Sequence, residues 1–182
     1  MPRLTLVDPE SATGKAKELL NAVQERTGRI PNMVRLMANS PATLQAYLSF
    51  ATAMVDAKLD KDIRDLVALA VAQASGSDYT LSAVHALGRG GGLGAEDLAA
   101  ARRAEAKDPK TAAALRFAAK IVDGRGHLSA ADVDGLRGVG FSDGEVAEII
   151  ASVVLNIFRS YFNLVAAPEI DFPVVRTSAL AA

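Results

Sequence analysis

Signals that start and stop α-helices recur along the whole sequence, and their spacing constrains the fold more than any other feature. Capping residues or prolines precede apolar stretches throughout, and glycines such as Gly28 and those of segment 88–92 follow them. The predicted helices begin at Asp8-Pro9, Pro31, Ser40-Pro41, Asp60, Ser77, residues 95 and 109, Ser129 and Ser142. No stretch alternates polar and apolar residues over the length of a strand, so the predicted fold class is all-α.

The predicted helix from about residue 143 to 165 is apolar around most of its circumference. Such a helix must be covered on several sides, and in so small a domain we expect one side to contact a partner subunit. A narrow polar line interrupts the apolar surface at Glu148, Ser152, Asn156, Arg159, Ser160 and Asn163. This line is either a solvent-facing or internal hydrogen-bonding stripe, or the polar wall of a pocket.

Length and charge limit the classes of protein that this sequence can encode. A chain of 182 residues, 50% of them hydrophobic, fits one domain over 1–182 whose core needs no disulfides. The net charge is −1 with basic and acidic residues interspersed, so a nucleic-acid partner is not expected. Met1 to Glu10 lacks the pattern of a signal peptide, and the apolar segment Ile149–Phe158 is too short to span a bilayer. We therefore expect a cytoplasmic protein with no membrane partner.

The sequence contains no cysteine and only two histidines, which leaves few ligands for a metal ion. His85 and His127 are far apart in the sequence, and neither belongs to a His-x-x-x-His or Glu-x-x-His pattern. The glycine-rich segment 90–95 follows a predicted helix rather than a strand, which disfavours a dinucleotide site. We therefore expect neither a metal nor a bound cofactor.

Residues 63–88, IRDLVALAVAQASGSDYTLSAVHALG, resemble the alkylhydroperoxidase D / carboxymuconolactone decarboxylase superfamily, and in particular its peroxidase-related branch. The similarity extends over nearly the whole chain. It includes LVDP at 6–9, GKAKELL at 14–20, IPN at 30–32, DPKTAAALRFA at 108–118 and NIFRSYFN at 156–163. The resemblance implies an all-helical fold assembled as a homo-oligomer, a trimer or hexamer.

The sequence departs from the superfamily at the positions of its thiol chemistry. Active peroxidases of the family carry a Glu, a Cys-x-x-Cys motif twelve residues later, and a His four residues after the second Cys. The corresponding positions here hold Asp65, Ser77, Thr80 and Val84. His85 lies one residue beyond the histidine position, and Leu164 stands where peroxidase-related members tend to have a second His.

These departures predict that thiol peroxidase activity has been lost. Peroxide reduction requires a reactive thiolate and a second thiol that resolves the sulfenic acid. The hydroxyls of Ser77 and Thr80 are hardly ionised at neutral pH without an adjacent base, and they cannot cycle through a disulfide. One residue along a helix rotates a side chain by about 100°, so His85 need not replace the missing histidine.

Three hypotheses about function remain open from the sequence. The first is a catalytically degenerate family member that binds a small molecule in a retained pocket, and the second is a structural partner of an active paralogue. The third is a cofactor-free decarboxylase- or isomerase-type enzyme that acts by acid–base chemistry on a small lactone or enolisable substrate. Its candidate catalytic residues are Asp65, Tyr79 and His85, and its candidate substrate-binding residues are Gln73, Asn156 and Arg159.

Structural roles compete with each of these assignments. Asp65 could form a buried ion pair with Arg64 or Arg159, and His85 could serve only as a hydrogen-bonding core residue. Ser77 is a sufficient helix N-cap without any chemical role. A cavity shared by Asp65 and His85 would favour the enzyme, whereas a cavity filled by residues such as Val84 would favour the degenerate binding protein.

Overall fold

The computed structural model describes residues 1–179, and these form helices joined by short connections, with no strand in that range. The helices are α1 Gly14–Thr27, α2 Asn32–Met37, α3 Pro41–Ala53, α4 Lys61–Ala74, α5 Asp78–Gly90, α6 Ala95–Ala101, α7 Pro109–Asp123, α8 Ala130–Gly138 and α9 Asp143–Ala166. A short 3-10 turn, Met54–Asp56, follows α3. The predicted all-α fold class is confirmed.

Most helices begin where the capping signals predict. The side chain of Ser40 accepts a hydrogen bond from the backbone N–H of Thr43, and the side chain of Ser77 accepts one from Thr80. Ser142 and Glu145 form a capping box at the start of α9. These bonds satisfy N–H groups that have no partner within the helix, which explains why short local patterns located the helix starts.

Two helix boundaries differ from the prediction. α1 begins at Gly14 rather than near Asp8-Pro9, because Asp8 closes a separate turn in which it accepts from the backbone N–H of Glu10. Gly14 has a φ of +55°, a left-handed conformation that favours glycine and prevents an earlier helix from continuing into α1. α5 continues through the predicted stop at Gly88, where a side chain would lie only 3.0 Å from Leu98.

α4 lies at the centre of the larger core, between α5, α7 and α9. Seven consecutive residues, Leu66 to Ala72, are buried, so no face of this part of the helix contacts solvent. α1, α2 and the start of α3 form a second apolar cluster with Tyr79 of α5. The two clusters place α5 at the boundary between them, with its N-terminal half facing α1, α2 and α9.

α9 has 24 residues, close to the predicted helix from about 143 to 165. By length and composition alone it is long and apolar enough to cross a membrane. Such a helix is equally typical of a protein core, and α9 packs one face on α4 and α7. Its polar line is internal rather than solvent-facing: Ser152, Asn156 and Asn163 are buried, and Glu148 accepts from the backbone N–H of Leu59.

Residues 168–179 form an irregular segment, the C-terminal strap, that crosses α2 and α5. The carboxylate of Asp171 accepts hydrogen bonds from Tyr79 Oη at 2.7 Å, from Arg29 Nη2 at 2.7 Å and from the backbone N–H of Asn32 at 3.0 Å. Further along, the backbone N–H of Thr177 donates to Asp78 Oδ1 at 2.8 Å. The strap therefore fixes the start of α5 relative to α1 and α2.

The Tyr79 hydroxyl is predicted to contribute to stability as well as to the position of the strap. It donates to Asp171 and accepts from the backbone N–H of Met33 at 3.0 Å, so Tyr79→Phe leaves a buried N–H without its partner. We expect the free energy of unfolding to fall by about 1–3 kcal/mol in denaturant titrations. Tyr47→Phe is the control, because the Tyr47 hydroxyl makes no hydrogen bond within residues 1–179 and the contact of Tyr47 with Arg159 is made by the ring, which Phe keeps. Equal stability of the two variants would contradict the assignment.

Candidate functional site

A cavity of about 550 Å³ lies where α1, α2, α3, α5, α9 and the C-terminal strap meet. Its walls are mostly apolar, with aromatic rings from three different elements. The lining residues are Val23, Arg26, Thr27, Arg29, Pro31, Met33, Val34, Tyr47, Leu48, Ala51, Val55, Tyr79, Thr80, Ala83, Val84, Leu87, Arg159, Asn163 and Phe172. The volume is within the range of small-molecule sites, about 300–1,000 Å³.

Two of the three thiol-motif positions on α5 face this cavity. Thr80 and Val84 line it, whereas Ser77 lies behind Thr80 at the helix start. Ser77 Oγ donates to Thr80 Oγ1 at 2.9 Å, and Asn163 Nδ2 of α9 donates to the same oxygen at 3.0 Å. The hydroxyl pair is therefore part of a buried hydrogen-bond chain that joins α5 to α9.

Arg159 extends from α9 to the cavity wall and is held there by two contacts. Its Nη1 donates to Asn156 Oδ1 at 3.1 Å, and its guanidinium lies 5.4 Å from the centre of the Tyr47 ring. Asn156 is buried and donates in turn to the backbone carbonyl of Ser152. Among the predicted substrate-binding residues, Arg159 lines the cavity, and Asn156, which does not, holds the Arg159 side chain in place.

The electrostatics of the cavity favour negative charge. Within residues 1–179, three arginines line it, Arg26, Arg29 and Arg159, and no Asp or Glu side chain does. Arg29 is neutralised by Asp171 and also stacks on Phe172, with its guanidinium 4.4 Å from the ring centre.

Tyr79 is the only predicted catalytic residue that lines the cavity. Burial of the side chain and its hydrogen bond to Asp171 raise the pKa of the Tyr79 hydroxyl well above its usual range. The hydroxyl therefore stays protonated at physiological pH and serves as a hydrogen-bond donor to the strap.

The remaining predicted site residues lie elsewhere. Asp65 pairs with Lys61 Nζ one turn earlier on α4 at 2.6 Å, rather than with Arg64 or Arg159. Gln73 accepts from Arg102 Nε at 2.9 Å and does not line the cavity.

His85 also lies outside the cavity, as the rotation of one residue along α5 from Val84 predicts. Its pKa is lowered by burial and by the nearby charges of Arg89 and Arg102, so the imidazole is neutral at pH 7. Leu164 is exposed on α9 and does not reach the cavity either. Neither Asp65 nor His85 therefore lines the cavity to which Tyr79 contributes.

Several lining residues were not assigned from the sequence. Asn163 had a signal, because it continues the polar line of α9 one turn beyond Arg159. Arg29, Met33, Tyr47 and Phe172 had none, because each comes from a different part of the chain and meets the others only in the folded protein.

The arrangement of helices is that of alkylhydroperoxidase-like proteins. A peroxidase-related protein from Silicibacter sp. TM1040 is similar, with a TM-score of 0.81, 21% sequence identity and coverage of 92% of this chain and 89% of the other. An alkylhydroperoxidase core protein from Ralstonia eutropha JMP134 gives a TM-score of 0.81, 22% identity and coverage of 93% and 92%. The debrominase Bmp8, as a cysteine-to-alanine variant in complex with 2,3,4-tribromopyrrole, gives a TM-score of 0.79 and 20% identity over 94% of each chain.

Residues 41–123, which include α3, α4, α5 and α7, match the carboxymuconolactone decarboxylase family. This match and the similar solved structures confirm the resemblance inferred from the sequence. A comparison with curated protein sequences gives no match.

The geometry of Ser77 and Thr80 predicts that a disulfide can be restored at the thiol-motif positions. The two side-chain oxygens are 2.9 Å apart, and a disulfide requires Cβ atoms within about 3.5–4.5 Å, which this approach permits. We expect S77C/T80C to lose both free thiols in a thiol titration after mild oxidation and to regain them on reduction. S77C alone should keep one free thiol per chain. Two thiols that persist in the double variant under oxidised glutathione would contradict the retained geometry.

Proposed function

We propose that this protein is a non-redox member of its family that binds an apolar small molecule in the cavity beside Thr80 and Val84. The observation that carries the proposal is the cavity itself, which lies at the family's thiol-motif positions and has mostly apolar walls. The volume of about 550 Å³ and the mostly apolar lining are those of a small-molecule site, which supports a binding role.

Loss of thiol peroxidase activity is part of the proposal. The full sequence has no cysteine, so no disulfide cycle can operate. The hydroxyls that occupy the motif positions donate and accept within a buried chain that includes Asn163, which leaves them a structural role.

An acid–base enzyme of the decarboxylase or isomerase type has less support. Asp65 and His85 lie outside the cavity, and the raised pKa of Tyr79 disfavours its ionisation. The described lining residues therefore supply no general base that faces a ligand. The debrominase Bmp8 bound to a halogenated pyrrole supports the narrower point that this fold can accommodate a planar ring.

The cavity's role can be tested with N-phenyl-1-naphthylamine, an uncharged dye that fluoresces in apolar sites. Ala83 lines the cavity, so Ala83→Trp should fill part of it and weaken dye binding by at least about tenfold. Ala99→Trp adds the same side chain on the exposed surface of α6, outside the cavity, and should bind like the wild type. No saturable dye binding by the wild-type protein would refute the proposal.

A homo-oligomer is the second part of the proposal. One face of α9 carries exposed apolar side chains, the α9 stripe, which comprises Ile150, Val154, Phe158, Tyr161, Leu164 and Val165. These residues follow one another at helical spacings of three and four, so they form one continuous surface. Exposed apolar patches of this kind are typical of protein–protein interfaces. A second copy of the chain would cover the stripe with an equivalent stripe.

The oligomer predicts a specific response to charge on the stripe. Wild-type protein should have a solution mass that is a multiple of 19.0 kDa in sedimentation or light-scattering measurements. Val154→Glu places a short charged side chain at the centre of the stripe and should shift the mass toward the monomer, because burial of an unpaired carboxylate is costly. Val139→Glu, outside the stripe at the end of α8, should not. A monomeric wild-type protein would contradict this part of the proposal.

A further inference from the structure

Two of the three arginines that line the cavity form no salt bridge within residues 1–179. Arg29 pairs with Asp171, whereas Arg26 is exposed and donates to Thr52 Oγ1. Arg159 is held by Asn156 and the Tyr47 ring. Its Nε is buried and has no hydrogen-bond partner there. A guanidinium on an apolar wall is stabilised by a charge-assisted bond to an anion more than by any neutral contact.

A second buried polar atom without a partner lies one helical turn away. Asn163 is 4% exposed, and its Nδ2 donates to Thr80 Oγ1 at 3.0 Å and approaches Met33 Sδ at 3.3 Å. A thioether sulfur only accepts hydrogen bonds, so the amide atom that approaches Met33 Sδ must be the nitrogen Nδ2. The remaining amide atom is therefore the oxygen Oδ1. Oδ1 is buried and has no donor within residues 1–179. It can accept a hydrogen bond from an N–H or O–H group.

The donor on Arg159 and the acceptor on Asn163 are neighbours. Both residues are on α9 at positions i and i+4, which places their side chains about 5–6 Å apart at Cβ on the same face. Both line the cavity, together with the rings of Tyr47, Tyr79 and Phe172. Neither polar atom is reached by water in its present rotamer, so a ligand would engage them after a small side-chain rotation.

From these observations we infer that the cavity selects an aromatic anion that carries a hydrogen-bond donor directly beside its anionic group. The anionic group binds the guanidinium of Arg159, and the adjacent N–H or O–H donates to Asn163 Oδ1. The ring packs on the aromatic and aliphatic walls, where aromatic contacts add to the area buried. This inference specifies the ligand class of the proposed binding site and rests on that proposal.

Three nearly isosteric compounds separate the two recognition features. Indole-2-carboxylate has both the anion and the adjacent N–H, 1-benzofuran-2-carboxylate lacks the N–H, and methyl indole-2-carboxylate lacks the charge. Titration calorimetry with wild-type protein should show indole-2-carboxylate binding about tenfold or more tightly than either analogue, because each loses one bond to a buried group.

Variants assign each preference to its residue. Arg159→Met should weaken indole-2-carboxylate by about 10- to 100-fold and leave the methyl ester unchanged, because only the charged ligand uses the guanidinium. Asn163→Leu should remove the difference between the indole and benzofuran acids. Arg116→Met, at an exposed position of α7 outside the cavity, is the matched charge control and should bind all three compounds like the wild type.

The outcomes distinguish this inference from the proposed function. Equal affinity of wild-type protein for the acid and its ester would overturn the anion preference while dye binding still supported the cavity's role. Failure of all three compounds and of the uncharged dye would overturn both. The comparison of ligands on the wild-type protein decides the anion preference even if Arg159→Met does not fold. Arg159→Lys keeps the positive charge and should then lower the affinity for indole-2-carboxylate by a small factor. This factor should be smaller than the one by which Asn163→Leu lowers the ratio of the affinities for the indole and benzofuran acids.

Discussion

Burial of α4 on every side is the constraint from which the rest of the architecture follows. Leu66 to Ala72 expose almost no surface, so α5, α7 and α9 must all pack against this one helix. A helix that is apolar around its circumference gains most of its stability from such burial rather than from its intrinsic propensity. With three neighbours fixed in this way, the start of α5 lies next to the middle and end of α9. That contact places Thr80 beside Asn163 and opens the cavity toward α1, α2 and α3.

The positions that carry thiols in peroxidases of the family have become part of the structural framework. Ser77 caps α5, and Thr80 receives hydrogen bonds from Ser77 and Asn163. A dithiol needs low-pKa sulfur and a path for peroxide, whereas a hydroxyl chain needs only satisfied donors and acceptors. The hydroxyls of Ser77 and Thr80 therefore provide a fixed contact between α5 and α9 where a reactive thiol pair would otherwise stand. The cavity next to them has mostly apolar walls.

Local patterns predicted the helices better than they predicted the site. Capping bonds involve residues three apart, so the starts of α3, α5 and α9 could be recognised directly from the sequence. The start of α1 was predicted wrongly because the left-handed conformation of Gly14 has no unique sequence signature. Lys61 and Asp65 are four residues apart, a spacing that is typical of an ion pair on one face of a helix. The sequence analysis instead considered Arg64 and Arg159 as partners of Asp65.

The walls of the cavity could not be predicted in the same way. Arg159 and Thr80 were named from a polar line and a motif, but Arg29, Tyr47 and Phe172 come from three other elements. Asp171 and Arg29 are separated by 142 residues and still form one ion pair. Such contacts depend on how helices pack, which capping and periodicity do not encode.

The balance of charge around the cavity depends on the C-terminal strap as much as on the helices. Asp171 neutralises Arg29 and accepts a hydrogen bond from Tyr79, so one carboxylate pairs with two polar groups of the lining. On the opposite wall no residue of 1–179 supplies an equivalent acid, and Arg159 is left with a neutral amide and an aromatic ring as its partners. An arginine held between such partners keeps its full charge while it loses part of its hydration. The two walls of the cavity are therefore chemically unequal: the strap side is already paired, and the α9 side offers the stronger attraction for a negatively charged ligand.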